Sequence, residues 1–401
     1  MKLSLHIGTP KTGTTSCQQW FAANRDVLRE QGVIYPVSLG EINHRAITSY
    51  SLNTNRMTGA FKRPNVETAE EHEVFRAQLR DSFAVEIQQY SQAHHWVISN
   101  EHLYSRIKTI EMIGRVKEFF APHFEEISIY LHLRPQVDLL LSNTSQNARL
   151  GQKVSLKILT RPAIGEKNDF FNYDGITRRW EAVFGRQNVH LVPFRKIPNI
   201  TEYLAQKIGI DRQNTSEIPY KNEAFGWRSM ALVNALGDGV SQLENLSQTL
   251  FLDQLPAPEK LQIGLEVARE IQYRFNACNA KLAERREDIT VEELTPDWDR
   301  YDTPPNVHKL EENSEFAEPL TYLINRYRQE VLLERGRAML AEAELAIITR
   351  HHKARWKLQQ ASATVQLPQC LPELQQRMEE LKMREAGLRN QMAVSEKGIQ
   401  A

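Results

Sequence analysis

The sequence predicts an α/β protein: a parallel sheet flanked by helices, followed by a mainly helical C-terminal part. Three observations predict it. Short apolar strand patterns alternate with segments of helical period through about residue 210, which is the pattern of βαβ units. A loop rich in Gly and Thr separates the first strand pattern from the first helix pattern. From about residue 225 onward the periodicity becomes almost wholly helical.

Taken in order, residues 2–7 read as a strand and residues 16–31 as a helix, with Trp20, Phe21, Val27 and Leu28 on one face. Residues 32–36 form a turn and a brief strand, and residues 37–65 are polar without a period. A helix is predicted over 67–93 and a strand over 95–99, with Asn100, Glu101 and His102 at its C-terminal end. A helix over 110–120 leads to a strong strand over 127–133, closed by Arg134 and Pro135. Helices over 137–149, 177–184 and 200–208 and a strand over 189–192 complete the set, while 151–172 has no period. Ligands of such sheets bind beyond the carboxyl ends of the strands, and the candidate residues below mostly follow such ends.

The C-terminal region divides on pattern into a helical extension, residues 231–360, and a terminal helix, residues 361–401, after a core of residues 1–230. In the terminal helix Leu371, Leu374, Met378, Leu381, Leu388 and Met392 recur in steps of three and four, with Glu385 in one apolar slot. Two readings stand. One is a coiled coil that would support a homodimer; the other is an amphipathic helix docked on the domain.

Bulk properties narrow the function classes. The 401 residues, 41% hydrophobic and 25% charged, suit a globular protein with a sizeable core. Lys plus Arg equals Asp plus Glu at 50 each, so no global basic field draws the chain to nucleic acid or an acidic membrane. Any anion site must be local. The three cysteines, Cys17, Cys278 and Cys370, lack metal spacing and a disulfide pattern, which fits a reducing compartment. The first residues lack a signal-peptide pattern, and no run of about 18 apolar residues occurs. A cytoplasmic protein without an integral membrane segment is the expectation.

The chemistry concentrates in His6-Ile7-Gly8-Thr9-Pro10-Lys11-Thr12-Gly13-Thr14-Thr15-Ser16. A Gly-rich turn from a strand into a helix directs backbone N–H groups inward, and the helix N-terminus adds partial positive charge. Thr12, Thr14, Thr15 and Ser16 offer hydroxyls and Lys11 a full charge. The ATP-binding loop G-x-x-x-x-G-K-[ST] requires a Lys directly after its second Gly. Gly8 and Gly13 keep that spacing, but Thr14 takes the Lys position. ATP chemistry is thereby disfavoured.

Pro10-Lys11-Thr12-Gly13-Thr14-Thr15-Ser16 resembles the 5′-phosphosulfate loop of sulfotransferases that use 3′-phosphoadenosine 5′-phosphosulfate (PAPS). That family carries a second signature, an Arg followed eight residues on by a Ser, both on the 3′-phosphate. Arg134 and Ser142 match it here. An Arg at a strand end and a Ser two turns into the next helix face one side, and a guanidinium takes phosphate bidentately. Trp180–Gly185 with Asn188–Val192 resembles the family's next helix-to-strand unit. The resemblance covers about residues 1–230 and is nearer the bacterial carbohydrate-type enzymes than the small-phenol type. The later Arg-Lys-Gly adenine motif of the latter is absent, and Lys221-Asn222 stands in a related place.

The resemblance implies a P-loop-type sulfotransferase fold, PAPS as donor with PAP as product, no metal, and a carbohydrate or glycolipid hydroxyl as acceptor. Lys11 would meet the bridging oxygen as PAP leaves. Glu101 or His102 would be the general base, and His44 an acceptor contact. Two other classes remain in view: a P-loop kinase or NTPase, and a scaffold acting through its C-terminal coiled coil.

Overall fold

The structure is a computed structural model. It describes residues 1–57, 66–218, 225–236, 259–310, 314–348, 354–365 and 374–397. Lys221, Asn222, Cys370 and Leu371 lie outside them.

Five strands form one all-parallel sheet: β1 (Lys2–Gly8), β2 (Val33–Ile34), β3 (His95–Ser99), β4 (Glu126–Leu133) and β5 (Val189–Pro193), in the order β2-β3-β1-β4-β5. Leu5 pairs with Ile98 on one side and Ile129 on the other. From Leu3 to Gly8 every residue of β1 is buried, as expected of a strand covered on both faces. The crossing helices are α1 (Thr14–Ala23), α2 (Arg25–Glu30), α3 (Arg45–Ser51), α4 (Ala69–Gln89), α5 (His102–Arg106), α6 (Ile110–Phe120), α7 (Gln136–Arg149), α8 (Leu156–Leu159), α9 (Tyr173–Phe184) and α10 (Ile200–Ile208). β1 is central, and the chain leaves it to build β2 and β3 on one side and β4 and β5 on the other. Its C-terminal end is therefore the point where the strand order reverses, which opens a crevice there.

Three local differences from the sequence reading have physical causes. The helix expected over 16–31 breaks at Asn24, whose amide donates to the Trp20 carbonyl at 2.8 Å and to the Ser216 carbonyl at 3.1 Å. The aperiodic stretch 37–65 contains α3, with Ile47 to Ser51 all buried; a helix covered on all sides has no amphipathic stripe to read. Helix α9 begins at Tyr173 because Asn172 caps it, accepting from the Gly175 N–H at 2.8 Å.

The chain divides into two compact units, Met1–Gln146 with Val154–Ala224 and Lys260–His308, and Asn147–Lys153 with Phe225–Glu259 and Lys309–Ala401. Residues 260–308 thus group with the sheet. They carry α11 (Leu265–Tyr273) and α12 (Asn276–Arg285). Arg285 and Arg286 pair with Glu181, Arg285 also with Asp174, and Arg286 with Asp288. Asp288 in turn accepts from the Leu191 N–H of β5 at 2.9 Å.

In the second unit, helices Ser314–Ile348, Ala354–Val365 and Gln375–Lys397 share one core of Leu333, Leu340, Ala343, Leu358, Ala361, Leu374, Met378, Leu381 and Leu388. The heptad seam is covered by helices of the same chain. Of the two readings of these heptads, the packing matches an amphipathic helix docked within its own chain. Glu385 fits its slot by accepting from the Ser362 hydroxyl at 2.6 Å and pairing with Arg389. Among the described residues, no helix is long and apolar enough to cross a membrane.

Candidate functional site

The loop after β1 forms a tight turn. Gly8 has φ +102° and Gly13 φ +85°, and Lys11, at φ +66°, is the only non-glycine residue with positive φ among the described residues. That conformation costs an L-residue about 1 kcal/mol or more. The turn is held by hydrogen bonds to the neighbouring strand: the Thr9 N–H and hydroxyl both donate to the His132 carbonyl, at 3.0 and 2.9 Å. The Thr12 hydroxyl is buried and donates to the Thr9 carbonyl at 2.7 Å. Thr12 therefore braces the turn, and its hydroxyl is not presented to a ligand as the sequence suggested. Thr14 is buried, Pro10 and Ser16 are half-buried and Thr15 is exposed. Gly13 caps α1 without a side-chain acceptor, and no acidic residue lies in the first turn. The helix N-terminus keeps its positive end uncompensated.

Residues far apart in sequence close on this loop. Arg134, leaving β4, donates from Nη1 to the Lys11 carbonyl at 3.1 Å. Its guanidinium lies 5.1 Å over the Phe194 ring and 4.0 Å from Asp138. The Arg134 carbonyl accepts from the Tyr173 hydroxyl at 2.5 Å. Lys11 Nζ reaches Gln146 Oε1 of α7 at 3.4 Å. Ser142 is half-buried on the same helix, two turns after Arg134.

On the other side of β1, Glu101 follows β3 and packs against the loop. A Cβ on Gly8 would lie 3.1 Å from Glu101 Cβ and 3.2 Å from Glu101 Cα. Only a glycine permits this approach. Glu101 Oε2 accepts from Gln18 Nε2 at 2.7 Å and Asn43 Nδ2 at 3.0 Å, while Oε1 stands 3.8 Å from His102 Nε2. Burial lowers the His102 pKa, Glu101 works against that shift, and Arg45 and Arg106 add to it. The ring is neutral at neutral pH and able to accept a proton.

His44 does not join them. The Ser99 N–H donates to its Nδ1 at 3.1 Å, so Nε2 carries the proton and donates to the Pro36 carbonyl at 3.0 Å. The ring is fully buried, and burial drives its pKa down to about 3. This corrects the acceptor-contact expectation: both nitrogens are engaged inside the fold, and His44 positions the end of β3. Its neighbour Asn43 is the residue of that segment that reaches Glu101. Gln18 and Asn43 escaped the sequence reading because an isolated amide carries no motif. Asp138 had a signal, standing four residues after Arg134 in the first turn of α7.

Beside Gly13 and Ser16 opens a cavity of about 320 Å³, walled also by Trp20, Asn199, Thr201, Arg212, Glu217 and Ile218. The Arg212 guanidinium lies 5.4 Å over the Trp20 ring and pairs with Glu217 at 2.5 Å. Loop, guanidinium and carboxylate thus line one end of the sheet, with the cavity adjoining. No family model, no curated protein and no solved structure matches the chain.

Proposed function

We propose that this chain is a sulfotransferase that moves a sulfuryl group from PAPS to a hydroxyl of a carbohydrate or glycolipid. The observation that carries the reading is the 3.1 Å hydrogen bond from Arg134 to the Lys11 carbonyl. It joins two phosphate-type signatures separated by 123 positions, the pair that a nucleotide with a 5′-phosphosulfate and a 3′-phosphate requires. The uncapped N-terminus of α1 suits the 5′ group. The cavity beside Gly13 has room for a nucleoside.

In this reading the acceptor oxygen bonds to sulfur as the bond from sulfur to the 5′-phosphate oxygen breaks. Charge develops on the leaving oxygen, where Lys11 stabilises it. The acceptor proton passes to Glu101 or His102. Gln18 and Asn43 hold one Glu101 oxygen, and the other, 3.8 Å from His102 Nε2, is the one to take the proton. Arg134 and Ser142 hold the 3′-phosphate.

Calorimetric titration with PAP and with ATP tests the reading. PAP binding that Lys11→Ala and Arg134→Ala both weaken is the expected result. Preference for ATP, or no binding of either, overturns it.

A further inference from the structure

The sequence offers one guanidinium, Arg134, for the 3′-phosphate, and the fold brings a second. Residues 260–308 fold back onto the sheet, and Arg300 Nη1 lies 3.4 Å from Asp138 Oδ2. Arg134 Nε approaches the same carboxylate oxygen at 4.0 Å. The Asp138 side chain is 4% exposed, and its other oxygen accepts from the Tyr301 hydroxyl at 2.6 Å. Two cations and one anion leave a net charge of about +1 at this point, an arrangement that attracts an anion. Asp138 and Tyr301 are buried, whereas the Arg300 side chain is 51% exposed. Its tip is anchored by one nitrogen, and a guanidinium has further donors. Neither composition nor motif reveals this, because 166 positions separate Arg134 from Arg300.

Resting on the sulfotransferase reading, we propose that Arg300 is a second ligand of the donor's 3′-phosphate. Asp138 and Tyr301 are its positioning residues. Arg300 then contributes to the selection of a 3′-phosphorylated nucleotide over one without that group. The 5′ end of the donor, held by the loop, is unaffected by Arg300.

The test compares PAP with adenosine 5′-monophosphate, which lacks the 3′-phosphate, by calorimetry on the full chain. The unaltered protein should prefer PAP. Arg300→Ala should weaken PAP binding about 10-fold, the scale of one partly solvated charge-assisted contact, and leave the monophosphate within about twofold. Arg300→Lys should recover part of the loss, since it restores charge without the fork. Retained monophosphate binding shows that the variant is folded. If Arg300→Ala keeps the full preference for PAP, or weakens both ligands equally, the assignment of Arg300 is overturned while the sulfotransferase reading stands. If the unaltered protein shows no preference for PAP, both fall.

Discussion

At the residue scale, two side chains have separable tasks. Lys11 sits in a left-handed turn at the loop, where charge on the leaving oxygen would be met. Lys11→Ala should lower transfer about 10²–10³-fold, the loss typical of one preorganised donor. Glu101→Gln keeps the shape and removes the proton acceptor, so it should lower turnover about 10²–10⁴-fold with PAP affinity unchanged. Rate assays beside calorimetry read both; a Glu101→Gln protein with full turnover would remove Glu101 from the chemistry. Three buried histidines make a different prediction. Burial drives the pKa of His6 and His44 to about 3 and that of His132 to about 4, and His132 adds to the shift of His6. Unfolded, each titrates near 6.5. The unfolded chain therefore binds more protons below that pH, and stability present above about pH 6.5 is lost as pH falls toward 4. Each ring contributes roughly 2 kcal/mol of that loss between pH 6.5 and 5. Urea midpoints measured at pH 7.5 and 5.0 should differ accordingly, and equal midpoints would contradict the burial argument.

At the element scale, the turn between β1 and α1 depends on what is missing from Gly8. An added methyl meets both Cα and Cβ of Glu101 at φ +102°. Gly8→Ala should cost about 1–3 kcal/mol and push Glu101 away from the loop. Thermal denaturation should show a lower midpoint and calorimetry weaker PAP binding; an unchanged midpoint would show that the loop has slack. The strands were legible because β1, β3, β4 and β5 are short apolar runs with turn signals at their ends, and helix 110–120 was legible because its buried face repeats at Met112, Ile113, Val116, Phe119 and Phe120. Helix α3 was not, because burial on every side erases the period. The break at Asn24 was not, because its cause is a contact with Ser216, 192 positions away.

At the scale of the whole molecule, residues 260–308 are held to the sheet by a network of charges. The Arg286 side chain is 7% exposed and pairs with Glu181 at 2.7 Å and Asp288 at 2.6 Å. Arg286→Ala leaves two carboxylates without that partner and should destabilise by about 3–5 kcal/mol. Lys2→Ala, which breaks an exposed pair with Glu126, should cost no more than about 1 kcal/mol. Urea denaturation of the two variants side by side checks the contrast, and equal losses would refute it. The sequence by itself determined the alternation of strands and helices, the glycine loop with its displaced lysine, and the Arg134–Ser142 spacing, because each is written within a few neighbouring residues. Only the tertiary structure decided that Arg134 grips Lys11, that Gln18 and Asn43 hold Glu101, that His44 belongs to the framework, and that the C-terminal heptads pack within the chain. These depend on contacts between segments distant along the chain, and local periodicity carries no record of which distant side chain will arrive.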